Sequence, residues 1–272
     1  MNNANFFWSG QNFRFLEYIV IKSHISVGHE VSIWLHGDRP NNEYWKMLEP
    51  NVTIKDADVI FNTSDFISKG GTLRTASDLW RFNYLYQNGG LYCDTDAFAL
   101  KAFPETEWIV CSAETIPGTL SIGVLKAPPN HPMFLDCISL IKNYWGNVLV
   151  FSQVYKQYFG NANPTHKNEL FYPYKWNEYK KLFKRTTIPM EAFSIHFYSN
   201  VLENQLRNPK TYYDKYFFMM NKLNSTNIDI EWCEKHPATL LGKLWRSLSM
   251  ESGVTNSLKN NLKTCNEYNI CS

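Results

Sequence analysis

Short apolar runs alternate with helix-spaced apolar positions through the first third of the chain. Asn5 to Ser9 (NFFWS) predicts a strand ended by Gly10. Phe13, Leu16, Ile19, Val20 and Ser23 then recur at helical spacing, and Gly28 stops that helix. Val31 to Leu35 predicts a second strand, broken by His36-Gly37-Asp38-Arg39-Pro40. Val52 to Ile54 and Val59 to Phe61 predict shorter strands. Strand, helix and strand at this spacing predict an α/β sheet with crossover helices.

Thr75 to Asn88 is the clearest helix, with Leu79, Phe82, Leu85 and Tyr86 as its apolar face. Thr75 or Ser77 is the expected cap, Asp78 suits the positive first turn, and Gly89-Gly90 end the helix. Leu91-Tyr92-Cys93 follows as a short buried strand running into Asp94-Thr95-Asp96. Trp108 to Cys111 and Leu120 to Ala127 predict two more strands, and Phe134 to Trp145 a helix. Beyond residue 150 the pattern becomes irregular, aromatic and helical, and the last twenty residues are polar enough to fray. No stretch rich in Gly, Ser or Pro divides the chain. The expectation is one domain over 1–272, with an α/β part over about 1–130 and an irregular helical part over about 131–272.

Composition narrows the function classes. The 272 residues are 44% hydrophobic and 19% charged, globular values that exclude wholesale disorder. Lys+Arg is 27 against 25 Asp+Glu, so no general electrostatic pull toward nucleic acid is expected. The first residues lack a basic segment followed by an apolar one, and no apolar run reaches the ~20 residues of a membrane span. The chain is therefore expected to be soluble. Six cysteines contain no CxxC pair, so a zinc knuckle is not expected and free thiols are, although Cys265 and Cys271 are close enough in sequence to bridge.

The candidate chemistry is Asp94-x-Asp96. If the chain turns after the strand, both carboxylates converge on one cation, and hard oxygen ligands suit Mn²⁺ or Mg²⁺ beside a diphosphate. D-x-D alone is weak, because polar turns are common. Here a buried strand feeds it, and Asp78 and Arg81 lie on the preceding helix.

Ser77-Asp78-Leu79-Trp80-Arg81-Phe82, followed by Tyr86-Gln87-Asn88-Gly89-Gly90-Leu91-Tyr92-Cys93-Asp94-Thr95-Asp96, resembles the signature of D-x-D sugar-nucleotide glycosyltransferases. That family holds yeast initiating α-1,6-mannosyltransferases and, more distantly, clostridial glucosylating toxins. Animal α-1,4-galactosyltransferases are similar over more of the chain. Phe171-Tyr172-Pro173, Trp176, Lys180-Lys181 and Phe183 resemble their F-Y-P-x-x-W-x-x-W-K-K-x-F stretch, with Tyr179 for the second Trp. Ile195-His196-Phe197-Tyr198-Ser199-Asn200 resembles V-H-x-W-N, with Tyr198 for the Trp, and Phe6 to Gly10 resembles the first strand of the wider clan.

The resemblance implies a GT-A-type nucleotide-binding sheet flanked by helices and a retaining, metal-dependent hexosyltransferase that makes an α-linkage. It implies that Trp8 stacks on the donor base and that Asp78 and Arg81 contact the donor sugar and ribose. Tyr92 would pack near the diphosphate. Asp94 would contact ribose or sugar hydroxyls and help place Mn²⁺ (or Mg²⁺), Asp96 would ligate it, and His196 would add a metal or diphosphate contact. The donor implied is a UDP-sugar, with GDP-mannose the alternative, and the acceptor a glycan or glycolipid. A cytoplasmic enzyme is expected; peripheral membrane contact would run through Lys180, Lys181, Lys184 and Arg185, for which a solvated basic face is the simpler expectation, or through Phe217 to Met220. For that last cluster a core helix is the simpler expectation.

The sequence departs from the animal relatives at Ser121-Ile122-Gly123, where they have Asn-Gly, and at Phe151-Ser152-Gln153-Val154, where they have Gly-Pro. The sugar and acceptor therefore do not carry over. Two other protein classes share part of this pattern. A haloacid-dehalogenase-type phosphatase also uses D-x-D, but Phe98 stands where it needs a small hydroxyl residue, and a later paired Asp is absent. A non-catalytic carbohydrate-binding protein of the same fold would not need Asp78, Arg81, Asp94 and Asp96 together.

Overall fold

The computed structural model describes residues 2–112, 118–141, 147–160, 164–224 and 227–249. The strands are β1 (Asn3–Ser9), β2 (Glu30–His36), β3 (Thr53–Asp56), β4 (Gly90–Cys93), β5 (Ala97–Ala99), β6 (Val124–Ala127) and β7 (Ser194–His196). The helices are α1 (Phe15–Ser26), α2 (Glu43–Leu48), α3 (Thr63–Ser68), α4 (Leu73–Asn88), α5 (Met133–Ile141), α6 (Asn147–Phe159), α7 (Ser199–Arg207), α8 (Tyr212–Met220), α9 (Ile230–Lys235) and α10 (240–249).

The main sheet has the order β3-β2-β1-β4-β6. Its first four strands are parallel, and β6 closes the edge antiparallel to β4. This is the mixed α/β architecture expected, with helices on both faces. Period-two alternation assigns the faces. Phe6, Ile33, Leu91 and Val124 join one buried cluster with α1 and the aromatic C-terminal half. Phe7, Trp34, Tyr92 and Leu125 join a second with α4, α5 and α6. The first cluster runs from Ala4 to Leu248, so both halves of the chain share one core.

Three local expectations are corrected. Thr72, not Thr75 or Ser77, caps α4 by accepting from the Thr75 N–H, because the helix starts two residues earlier than expected, at Leu73. Asp78 therefore lies beyond the first turn. Val59 to Phe61 is not a strand: Ala57–Val59 is a 3₁₀ turn, initiated when the Asp56 carboxylate accepts from the Asp58 N–H. Trp108 to Cys111 contributes only the isolated bridge Ile109–Lys126, and Leu120 to Ala127 narrows to β6 plus a Ser112–Leu120 bridge. The end of the Phe134–Trp145 helix, the frayed C-terminus and Cys265–Cys271 lie outside the described residues. Cys93, Cys111, Cys137 and Cys233 are buried free thiols.

A small second sheet positions the site. β5 pairs antiparallel with β7, setting Ala97 opposite His196. α1 anchors β5 through a buried relay. The Phe103 N–H donates to His29 Nε2 at 3.0 Å, which leaves His29 Nδ1–H to donate to His24 Nδ1 at 3.0 Å. His24 Nε2–H then donates to the Ala97 carbonyl at 2.9 Å. Every ring nitrogen is used, and only neutral rings fit. Burial, reinforced by its neighbour His29, pushes His24 down to about 3. Burial and Lys126 push His29 down to about 4.

Because these folded values lie below the free histidine value of 6.5, the unfolded chain binds protons first as pH falls. Stability from the pair is complete above about pH 6.5 and is lost toward pH 3–4, at about 1.4 kcal/mol per pH unit for each histidine. Denaturant midpoints should fall steeply between pH 7.5 and pH 5; equal midpoints would show that the relay tolerates a proton.

Candidate active site

Beyond the C-terminal ends of the parallel strands, where α/β sheets receive ligands, lies a cleft of about 890 Å³. Trp8, Asp78, Arg81, Tyr92, Asp94, Asp96 and His196 all line it. Every residue expected at the donor and metal sites thus lines one cleft.

The buried floor is electrostatic. Tyr92 and α4 occupy the same side of the sheet, and Asp94, two residues on, reaches back to both. Arg81 Nη2 donates to Asp94 Oδ1 at 2.8 Å and to the Tyr92 hydroxyl at 3.0 Å. Tyr92 in turn donates to the same Asp94 oxygen at 2.7 Å. Arg81 Nη1 donates to the Ile122 carbonyl at 2.9 Å, while Asp78 stands off at 3.6 Å. The main partner of Arg81 is therefore Asp94 rather than its helix neighbour. Burial opposes the Arg81 charge, but Asp94 and the surrounding acids outweigh it and raise its pKa. Burial also opposes the Asp94 charge, yet Arg81, His196 and Tyr92 hold that carboxyl below its usual range.

Asp94 and Asp96 converge because the chain turns after β4: the Ala97 N–H bonds back to the Asp94 carbonyl at 3.0 Å. The β5–β7 pairing then brings in His196. Its Nε2 lies 3.0 Å from Asp96 Oδ1 and 3.7 Å from Asp94 Oδ2. Tyr198 N–H donates to His196 Nδ1 at 3.3 Å, turning Nε2 toward the acids. Burial raises the Asp96 pKa and the Asp94 charge adds to that, against a partial offset from His196. Burial opposes a proton on His196, but the two carboxylates favour it and win.

One donor atom from each of Asp94, Asp96 and His196 falls within a mutual 4.8 Å. Two carboxylate oxygens and an imidazole suit Mn²⁺ or Mg²⁺. Gly123 keeps the space open: a Cβ there would lie 2.8 Å from His196 Nε2 and 2.9 Å from Asp94 Oδ2. The residues present therefore fit a divalent cation.

Several lining residues were not singled out by sequence reasoning. Arg14 pairs with Glu17 and with Glu203, tying α1 to α7 beside Asp96. The α7 N-terminus points into the same region, since the Ser199 N–H donates to Asp96 Oδ2 at 2.8 Å. Ser199 Oγ and Arg81 Nε are buried and have no partner among the described residues. Tyr198, just before α7, has a left-handed backbone (φ 54°), a costly conformation for a tyrosine and one enriched at functional sites. Tyr172 accepts from the Val124 N–H at 2.9 Å and lies against His196. Only the F-Y-P and I-H-F-Y-S-N resemblances signalled this region in advance. Trp8 sits at the rim, half-buried and edge-on to Phe13, with Nε1–H donated to the Gly10 carbonyl at 2.9 Å.

Residues 17–115 match the family model described as glycosyltransferase sugar-binding region containing DXD motif. That stretch holds Asp78, Arg81, Tyr92, Asp94 and Asp96, so the central block of the resemblance read from the sequence is found independently. A human protein, alpha-1,4-N-acetylglucosaminyltransferase, is 26% identical over 92 residues, covering 32% of this chain. The match spans only 26% of that relative's length. Among solved structures, PaToxG glycosyltransferase is similar at 18% identity and TM-score 0.46, over 89% of this chain and 86% of its own. The apo-form glycosyltransferase GlyE of Streptococcus pneumoniae TIGR4 is similar at 13% identity and TM-score 0.45, over 91% of this chain and 64% of its own.

Proposed function

We propose that the chain is a retaining, metal-dependent glycosyltransferase that moves a hexose from a nucleoside diphosphate sugar, a UDP-sugar first, to a glycan or glycolipid acceptor in α-linkage. The observation that carries this reading is the convergence of Asp94, Asp96 and His196 with the buried Arg81–Asp78–Tyr92 group in one cleft within a sugar-binding region.

Transfer breaks the bond between the anomeric carbon and the diphosphate oxygen, whose electron pair leaves with the phosphate. A bond to the acceptor oxygen forms, and the acceptor hydroxyl's proton passes to the departing diphosphate or to solvent. Negative charge therefore grows on the diphosphate while positive charge grows at the sugar. Asp94, Asp96 and His196 would hold Mn²⁺ or Mg²⁺, which when bound supplies neutralising charge to the leaving diphosphate. Arg81 is held in place by four neighbours before any donor arrives, so its charge needs no reorganisation. Ser199 Oγ–H and the α7 N-terminus offer further donors on the Asp96 side. Asp78 and Asp94 present carboxylates toward the donor sugar and ribose, where hydroxyls and the electron-poor anomeric carbon favour them. Trp8 at the rim offers an aromatic surface to the base. The four described cysteines, all buried free thiols, support a reducing, cytoplasmic setting.

The decisive experiment is donor turnover across UDP- and GDP-hexoses and their N-acetyl derivatives, in Mn²⁺ and in chelator. The human relative's name puts UDP-N-acetylglucosamine first in the panel. We expect turnover of a UDP-sugar in Mn²⁺ and none in chelator, with an α-configured product by NMR. A β-linked product from an α-linked donor would mean inversion. Binding without turnover across the panel would point to a non-catalytic carbohydrate-binding protein.

A further inference from the structure

We propose that α8 lays its outward face on an anionic lipid bilayer. The helix is inverted relative to an ordinary surface helix, which turns polar residues to water. Its inner side carries Phe218, stacked on Tyr179, and Asp214, which is buried, pairs with Lys180 and accepts from the Thr211 hydroxyl. Its outer side carries Tyr212, Tyr213, Tyr216, Met219 and Met220, which are 84%, 60%, 46%, 63% and 60% exposed. A core helix was the expectation for Phe217 to Met220; only Phe218 is fully buried, because the hydrophobic residues outnumber what one inward face can cover.

Charge decides what this face meets. From residue 207 to residue 224 every exposed charged side chain is cationic: Lys210, Lys215 and Lys222, together with Arg207, which pairs with Glu203. The single carboxylate in that stretch, Asp214, is the one turned inward onto Lys180. Acids near its C-terminal end are already engaged, since Asp229 caps α9 and Glu231 pairs with Lys235. Lys184 lies over Phe217 at 5.3 Å and adds a cation at the base of the helix, while Lys180, over the Tyr213 ring at 4.5 Å, balances Asp214.

Tyrosines suit the headgroup level, where the ring enters the apolar boundary and the hydroxyl stays wet. Flexible methionines fill irregular apolar surroundings. Lysines around such a face are drawn to a lattice of phosphates. A second copy of this chain would bring lysines against lysines, whereas an anionic bilayer complements them. This inference is independent of the reaction proposed for the cleft, which shares none of these side chains.

The test is flotation of the whole chain with vesicles of phosphatidylcholine alone and with phosphatidylserine added. It is repeated at high salt and with a Tyr212→Ser/Tyr216→Ser/Met219→Ser variant whose thermal melt confirms folding. The binding constant should be at least about tenfold higher on the anionic vesicles, should fall with salt and should be lost in the variant. Absence of binding to anionic vesicles would overturn the proposal, as would undiminished binding by the variant. A concentration-dependent dimer that the variant dissolves, without vesicle binding, would assign the face to a second copy instead.

Discussion

Replacing Asp96 with Asn is expected to lower Mn²⁺-dependent donor turnover by about a thousandfold while leaving the protein folded. The scale follows from the ~10²–10³ lost when a single electrostatic contact to a developing charge is removed. Asn is nearly isosteric, and its carbonyl oxygen can still accept from the Ser199 N–H, so the α7 N-terminus keeps its anchor. What is lost is an anionic oxygen facing His196 and Asp94. Removing a carboxylate that burial already disfavours should not weaken the fold. In the wild-type protein a cation must also displace the proton that the two acids hold on His196, so its affinity should fall as pH drops. Calorimetric Mn²⁺ titration and turnover are therefore measured together. Full turnover in the folded variant, or in chelator, would show that Asp94-Thr95-Asp96 is a polar turn.

How far the sequence exposed this arrangement depends on the range of the interactions. β1, α1, β2, α4 and β4 were legible because each carries its own local signal: a short apolar run or a 3.6 period, set off by a neighbouring glycine. Trp108 to Cys111 looked like a strand by composition, but β6 occupies the edge beside β4, leaving Ile109 a single bridge. The capping error at α4 arose because Thr72, Thr75 and Ser77 are all good caps, and local propensity does not rank them. Asp78, Arg81, Tyr92, Asp94 and Asp96 were legible as one contiguous block. His196 was legible only through family resemblance, since it arrives by the pairing of two three-residue strands nearly a hundred positions apart. Arg14 and Glu17 carry no motif, Ser199 only its place in the Ile195–Asn200 resemblance, and all three are placed by how α7 docks against α1. Gly123 was noticed only as a departure from relatives, whereas its Cβ-free surface is what leaves room beside Asp94 and His196.

Arg81→Met should cost about 3–5 kcal/mol of stability and abolish transfer, the largest folding effect expected at any cleft residue. An exposed i,i+3 pair provides at most about 1 kcal/mol, and Arg81 is not such a pair. Its side chain is 6% exposed, and it satisfies Asp94, Tyr92 and the Ile122 carbonyl at once. Removing one member of a buried charged group leaves the others uncompensated, which is the origin of the 3–5 kcal/mol. Asp94 would lose the cation that most lowers its pKa, and the Ile122 carbonyl, next to Gly123, would lose its donor. Met fills the space of the guanidinium stem, so the loss measures charge and hydrogen bonds rather than a cavity. Tyr92→Phe supplies the comparison: it deletes one hydroxyl from the same group and should cost about 1 kcal/mol, with turnover reduced but measurable. Denaturant unfolding of both variants, alongside donor turnover, separates the outcomes. A large stability loss in Arg81→Met with transfer intact would make Arg81 a structural brace. A loss within about 1 kcal/mol with transfer unchanged would reduce it to an ordinary helix ion pair. Loss of both, with Tyr92→Phe intermediate, is the result that a charge fixed in advance of the donor requires.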